Sequence, residues 1–231
     1  MEIPVYLAMT AAEFRTCHSL PPHPAWLSCL FSPYGRGLSN IPKQLPSDSL
    51  LILSDRTPPC GHDPEQILQT LSEAIPRLSC SGLLLDFERP GNPETFEIAK
   101  ALTTLPCPVA VSAPYAKELD CPVFIPPLLP SEFLKPHIAP WEGREIWLEL
   151  STHGQTVTVT KSGTSFQNCA PAPALPYEDK NLTCHYAMDI QEDAAIFTIH
   201  RTTSDLVKIL SHTKFHNITR FVGLYQELYT I

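Results

Sequence analysis

The sequence predicts an α/β fold, a (β/α)8 TIM barrel with reduced helices and a small β-rich insertion between strands seven and eight. Eight short apolar runs recur along the 231 residues, and helical patterns separate some of them. Buried parallel strands are near-continuous apolar runs of this kind, and eight of them close into a barrel in the commonest such architecture. The 25 prolines indicate shortened crossovers, since proline breaks helices.

Each strand of the predicted barrel corresponds to one apolar run. The runs are Val5–Met9, Trp26–Phe31, Leu50–Leu53, Leu83–Leu85, Pro108–Ser112, Val123–Ile125, Ile146–Leu150 and Phe221–Tyr225. Helices are predicted from Pro64 to Leu78 behind an Asp63 cap, from Pro93 to about Leu105, and from Thr203 to Ser211. The proline-rich crossover between residues 127 and 144 predicts no full helix.

The insertion is predicted over residues 152–200, within a single barrel domain that spans residues 1–231. Residues 156–160 alternate between threonine and valine as an antiparallel strand does, and residues 194–199 form a second strand candidate. An open doubly wound sheet is the alternative fold. For a nucleotide-binding role that fold would need a phosphate-binding glycine turn, and the nine glycines form neither G-x-G-x-x-G nor a P-loop.

The composition argues against several classes of binding partner. Sixteen basic against 24 acidic residues give a net charge of −8, which argues against nucleic acid. The N-terminal residues lack the basic and apolar regions of a signal peptide, and no apolar run approaches the roughly 20 residues of a membrane helix. The eight cysteines are scattered without a Cys-x-x-Cys pair, so we expect reduced thiols and no metal site.

The fourth run ends in two carboxylates on one face. Side chains alternate along a strand, so Leu84, Asp86 and Glu88 point to the same side. Carboxylates at the C-terminal mouth of a barrel are typical of catalytic groups, and a paired acid and orienting carboxylate is glycosidase chemistry. The alternative interpretation is a strand end that has reached solvent, with Arg89 as the ion partner.

The segment Ser81–Glu88 resembles the fourth-strand signature of glycoside hydrolase family 18, Asp-Gly-x-Asp-x-Asp-x-Glu. Gly82, Asp86 and Glu88 match, while Ser81 and Leu84 stand in the places of the first two aspartates. The run at residues 109–114, the position of the insertion and the chain end from Ser204 to Tyr225 are also similar to the family, including its bacterial spore-type members.

The resemblance implies hydrolysis of N-acetylhexosamine glycans, chitin-like or peptidoglycan-like, by the substrate-assisted retaining route. Glu88 would be the general acid and Asp86 would orient the substrate's N-acetyl group, with no metal or organic cofactor. The partner would be a carbohydrate, with no nucleic acid or membrane, in a cytoplasmic or spore-associated location. The residues predicted to bind substrate are Tyr225, in place of the family's usual Trp, and Tyr115, Trp141, Glu149, Gln226 and Asp55.

A second hypothesis is a catalytically degenerate barrel that binds a glycan or a protein partner without hydrolysis. Leu84 replaces an aspartate of the signature, and the sixth run, Val123–Ile125, lacks the Tyr and Asp that the family usually has there. The retained Glu88 favours the enzyme. The oligomeric state is not predicted.

Overall fold

The computed structural model describes residues 3–33, 37–89, 91–126, 138–152, 154–169, 175–180, 183–212 and 217–229. The chain forms two compact units. The first comprises residues 1–126, 143–149 and 217–225, and the second comprises residues 127–142, 150–216 and 226–231.

A closed barrel of eight parallel strands is built in the first unit, as the sequence predicts. The barrel strands are β1 Val5–Met9, β2 Pro24–Phe31, β4 Leu50–Ser54, β5 Gly82–Asp86, β6 Val109–Ser112, β7 Val123–Ile125, β8 Ile146–Leu150 and β14 Ile218–Leu224. Their order in the sheet is β1-β14-β8-β7-β6-β5-β4-β2, and β1 also pairs with β2, which closes the barrel. A short strand, β3 (Leu38–Ser39), pairs antiparallel with β2.

Few helices accompany the strands in the described residues, which confirms the predicted reduction. The helices are α1 Ala11–Thr16, α2 Pro64–Leu78, α3 Pro93–Leu102, α4 Ala113–Ala116, α5 Thr203–His212 and α6 Tyr225–Leu228. Asp63 caps α2 by accepting the Glu65 N–H at 3.0 Å, and Pro64 follows at the first helical position. None of the described helices is both long and apolar enough to cross a membrane.

Helix α3 ends at Leu102, three residues before its predicted end. The hydroxyls of Thr103 and Thr104 donate to the carbonyls of Lys100 and Ala101, both at 2.7 Å. Threonine hydroxyls compete in this way with the backbone for helical carbonyls. The N–H groups of Thr104 and Leu105 therefore bond three residues back, and the α-helix gives way to tighter turns.

The second unit contains a five-stranded antiparallel sheet. It confirms the predicted β-rich insertion and adds three strands that the sequence pattern did not reveal. The strands are β9 Gly154–Thr160, β10 Gly163–Cys169, β11 Tyr177–Asp179, β12 Cys184–Ile190 and β13 Ala194–His200. Their order in the sheet is β10-β9-β13-β12-β11.

The barrel interior is a cluster of buried side chains to which all eight barrel strands contribute. Because residues two apart on a strand share a face, this cluster identifies the inward-facing positions of every strand. The cluster consists of Tyr6, Ala8, Ala25, Leu50, Ile52, Leu84, Ala110, Phe124, Trp147 and Val222.

The N-terminal end of the interior is closed by Arg220. Its guanidinium carbon lies 4.4 Å from the ring centroid of Trp147 and 5.5 Å from that of Tyr6, within the range of cation–π attraction. Its Nη2 donates to the Ser81 carbonyl at 3.2 Å. Gly82 provides the space, since a Cβ there would lie 3.0 Å from Nη1 of Arg220 and 2.9 Å from the Pro108 carbonyl oxygen.

Gly82→Ala should therefore destabilise the barrel. The added methyl group meets backbone at Pro108, which cannot move aside as a flexible side chain could, so we expect a loss of about 1–3 kcal/mol in the free energy of unfolding. Urea denaturation measures it. Glu97→Ala, at an exposed position of α3, is the control and should change stability by no more than about 0.5 kcal/mol. Equal stabilities of the two variants would contradict this account of Gly82.

Candidate active site

The C-terminal end of the barrel interior carries polar groups, in contrast to the apolar layers below it. Leu84 is 1% exposed within the interior cluster, and Asp86, two residues further along β5, lies on the same face and is partly exposed. By the same alternation Glu149 follows Trp147 on the inner face of β8. The structure thus places two of the predicted site residues on the inner face at this end of the barrel.

The carboxyl group of Asp86 has a raised pKa. The pKa is raised from 3.8 to about 6, first by burial, then by the charge of Glu88 and to a smaller extent by that of Asp55. The positive charge of Arg56 acts in the opposite direction. Carboxyl groups perturbed by burial and by like charges cluster at functional sites, which supports Asp86 as part of one.

Glu88 is exposed and lies just beyond the end of β5. The residue before it, Phe87, is buried and anchors the chain there. Its N–H donates to the Ser112 hydroxyl at 3.0 Å, and that hydroxyl donates to the Leu85 carbonyl at 3.0 Å. The Phe87 ring packs 6.0 Å, edge to face, from the ring of Tyr115. Ser112 was missed by sequence reasoning, although a serine late in a buried strand beside Asp86 was an available signal.

Asp55 holds the backbone of the loop that carries Glu88. It is 1% exposed, its Oδ1 accepts the Glu88 N–H at 3.0 Å, and its Oδ2 accepts the Arg89 N–H at 3.0 Å. A buried carboxylate is costly unless such donors satisfy it. Both oxygens of this predicted substrate-binding residue are therefore occupied by the protein's own backbone.

Tyr115 holds the same loop from the other side. It is 4% exposed, its hydroxyl donates to the Arg89 carbonyl, and it accepts the Asn92 N–H at 3.4 Å. Asp55 and Tyr115 thus fix consecutive backbone groups around Glu88 and Arg89. The structure brings four of the predicted residues together around one loop, two as loop supports and two, Asp86 and Glu88, as carboxylates at the barrel end.

The remaining predicted residues lie in two different places. Tyr225, in the first unit, begins α6, and its hydroxyl lies 3.5 Å from the Cys17 sulfur. Trp141 and Gln226 belong to the second unit, where Trp141 is buried at the end of the 3-10 turn Ala139–Trp141 and Gln226 is exposed in α6.

All eight cysteines carry free thiols. Within the described residues, no group of three or more His, Cys, Asp or Glu side chains could hold a metal ion.

The fold has clear relatives among solved structures, although no family model and no curated protein matches the sequence. A chitinase from Chromobacterium violaceum superposes with a TM-score of 0.64 at 11% identity, over 96% of this chain and 93% of that one. The spore cortex-lytic enzyme SleL of Bacillus cereus gives a TM-score of 0.61 at 9% identity, over 96% and 70% of the two chains. A GH18 chitinase from Cycas revoluta, solved with (GlcNAc)3, superposes with a TM-score of 0.55 at 9% identity, over 95% of this chain and 94% of that one.

The barrel has the glycoside hydrolase family 18 fold. This confirms the predicted family 18-like barrel. In that barrel, the Ser81–Glu88 segment contains strand β5 and the first two residues of the loop after it.

The raised pKa of Asp86 should make the protein less stable as the pH rises. Between its unfolded pKa of 3.8 and its folded pKa of about 6, the folded state holds a proton that the unfolded state has lost. Stability should therefore fall across this window, by about 3 kcal/mol at most. Urea unfolding at a series of pH values measures the slope. Asp86→Asn should flatten that slope, and an unchanged slope would contradict the assignment.

Asp55→Ala should make the backbone at Glu88 and Arg89 more mobile. Without the carboxylate, the N–H groups of Glu88 and Arg89 lose their acceptors at 3.0 Å, so their hydrogen exchange should accelerate by about 10-fold or more. Native-state exchange followed by NMR or mass spectrometry reports on these two amides. The amide of Leu84, inside β5, is the internal control. Similar acceleration at all three positions would indicate general destabilisation instead.

Proposed function

We propose that this protein is a glycoside hydrolase that cleaves N-acetylhexosamine-containing glycans by the substrate-assisted retaining mechanism. One observation carries the proposal: Asp86, with a pKa of about 6, lies on the inner face at the C-terminal end of a family 18-like barrel, with Glu88 two residues along the same segment. Active sites of such barrels form at this end, and carboxyl groups whose pKa is perturbed by burial and by neighbouring like charges are typical of functional sites.

In the proposed mechanism, Glu88 donates a proton to the glycosidic oxygen as the bond to the anomeric carbon breaks. The carbonyl oxygen of the substrate's own N-acetyl group attacks that carbon, forming an oxazolinium ion. Asp86 holds the amide N–H in the orientation for attack and stabilises the positive charge that develops. Glu88, now a carboxylate, then takes a proton from the water that opens the ring, which restores the acid and gives net retention of configuration.

The loop supports have a defined part in this scheme. Asp55 and Tyr115 fix the backbone on both sides of the Glu88 side chain, which limits the positions that its carboxyl group can take. Positioning of this kind matters because small displacements of a catalytic acid cost large factors in rate. Tyr225, Glu149, Trp141 and Gln226 are proposed as substrate contacts, as the sequence predicts.

The substrate class is supported by the structural neighbours. The chitinase from Cycas revoluta was solved with an N-acetylglucosamine oligomer, and SleL is a spore cortex-lytic enzyme. The proposed ligand of this chain is accordingly an N-acetylated glycan, chitin-like or peptidoglycan-like. A cytoplasmic or spore-associated location in a bacterium belongs to the same proposal and rests on the same likeness.

Binding without hydrolysis is the alternative function. It is favoured by the buried Leu84, 1% exposed where the family 18 signature has an acidic residue, because no charge at that position can share a proton with Asp86. It is also favoured by β7, whose three residues are all buried and apolar. The exposed Glu88 favours hydrolysis.

Glu88→Gln tests the proposal. Glutamine keeps the shape of the side chain but has no acidic proton to donate, so release of product from an aryl chitooligosaccharide and from glycan strands should fall by at least about 100-fold. Glu97→Gln, an exposed position on α3, should leave the rate unchanged.

Thermal melts of both variants establish that they are folded. Hydrolysis by the Glu88→Gln protein at the wild-type rate would refute the assignment of the acid. Saturable glycan binding by the wild-type protein without any product would support the alternative.

A further inference from the structure

Two arginines lie beside the carboxylates, and the mechanism above uses neither. Arg56 follows Asp55 after β4, and Arg89 follows Glu88 after β5; both arginines are exposed. The Nη2 of Arg89 donates to the Arg56 carbonyl at 3.0 Å, which holds the two residues together. In the part of the chain that the structure describes, neither guanidinium comes within the 4.0 Å of a carboxylate oxygen that defines an ion pair.

Arg89 is held at three separate points. Asp55 accepts its N–H at 3.0 Å, Tyr115 donates to its carbonyl, and the Arg56 carbonyl accepts from its guanidinium. A long, flexible side chain normally loses considerable rotamer entropy when it binds a ligand. Here the protein has already restricted the residue, and its other guanidinium donors have no partner within the described chain. Such preorganisation increases the affinity for a matching ligand.

The two arginines add positive charge beside carboxylates. The protein carries a net charge of −8, Asp55 and Glu88 directly precede the two arginines in the sequence, and the charge of Arg56 acts on Asp86. An anionic substrate would be repelled from such a surface unless cations received its charge. A planar guanidinium is suited to this, because its N–H groups match the two oxygens of a carboxylate. A neutral glycan offers hydroxyl and amide oxygens to a guanidinium but no charge, so its hydrogen bonds with the pair are weaker than those of a carboxylate.

We propose that Arg89, supported by Arg56, is a subsite for a carboxylate carried by the substrate, so that the preferred glycan is an N-acetylhexosamine polymer bearing carboxylates. The inference rests on the proposed function, since it narrows the substrate of the same site. The carboxylate can come from a lactyl ether on the sugar or from a peptide attached to the glycan.

Binding to the inactive Glu88→Gln protein tests the subsite without any need for turnover. Isothermal titration compares a peptide-free strand with lactyl carboxylates, the same strand after methyl esterification, and a chitooligosaccharide of equal length. The free carboxylate should bind about 10-fold more tightly than the ester or the chitooligosaccharide. A peptide-bearing strand, in which the lactyl group is an amide, shows whether a peptide carboxylate serves instead. No preference for either carboxylate over the neutral glycans would overturn the proposal.

Substitutions of the two arginines test whether they cause the preference for the carboxylate. Arg89→Gln and, separately, Arg56→Gln in the Glu88→Gln background should remove the preference for the carboxylate and leave chitooligosaccharide binding unchanged. Arg77→Gln is the matched control, since Arg77 is also exposed and also donates to a backbone carbonyl, that of Lys43 at 2.6 Å. If the arginines only neutralise the nearby carboxylates, both substitutions will change the binding of all glycans equally. That result would refute the proposal.

The test of the carboxylate subsite can fail or succeed independently of the test of hydrolysis. A wild-type protein that binds carboxylated glycans selectively but releases no product refutes hydrolysis and leaves the subsite standing. A protein that cleaves charged and neutral glycans with equal kcat/KM supports hydrolysis and refutes the subsite.

Discussion

The pairing of β1 with two neighbours is the constraint on which the rest of the barrel depends. Val5–Met9 pairs with β14 on one side and with β2 on the other, so the parallel sheet has no free edge along its eight barrel strands. Closure forces alternate residues of every strand inward, where they must fill the interior. Asp86 is directed toward the interior end because Leu84 is packed inside. The cost of burying that carboxyl group appears as its raised pKa.

The loop after β5 shows how buried polar groups can make an exposed one rigid. Asp55 is buried, but its two oxygens accept two backbone N–H groups, which offsets much of its desolvation. Tyr115 satisfies the next carbonyl, and Ser112 satisfies the N–H of Phe87. These hydrogen bonds restrain the main chain at Glu88 and Arg89. The exposed side chains of Glu88 and Arg89 therefore extend from a backbone that hydrogen bonds hold in place.

Much of the barrel could be predicted from the sequence, because buried parallel strands are continuous apolar runs. The prediction was weaker where that signal is absent. Strands β10 to β12 mix polar and apolar residues without a long alternation, since each is only partly covered. The end of α3 was misplaced because Thr103 and Thr104 divert carbonyls from the helix, and apolar periodicity contains no information about that competition.

The sequence by itself determined the eight barrel strands and the inward position of Asp86 on β5, since both depend on residues close together in the chain. The roles of Asp55 and Tyr115 were decided only by the tertiary structure. Each acts on a backbone group more than 20 residues away in the chain, Asp55 on Glu88 and Arg89 and Tyr115 on Arg89. Hydrogen bonds of this kind depend on the positions of loops from separate strands. Local sequence patterns do not contain those positions, because barrel closure sets them.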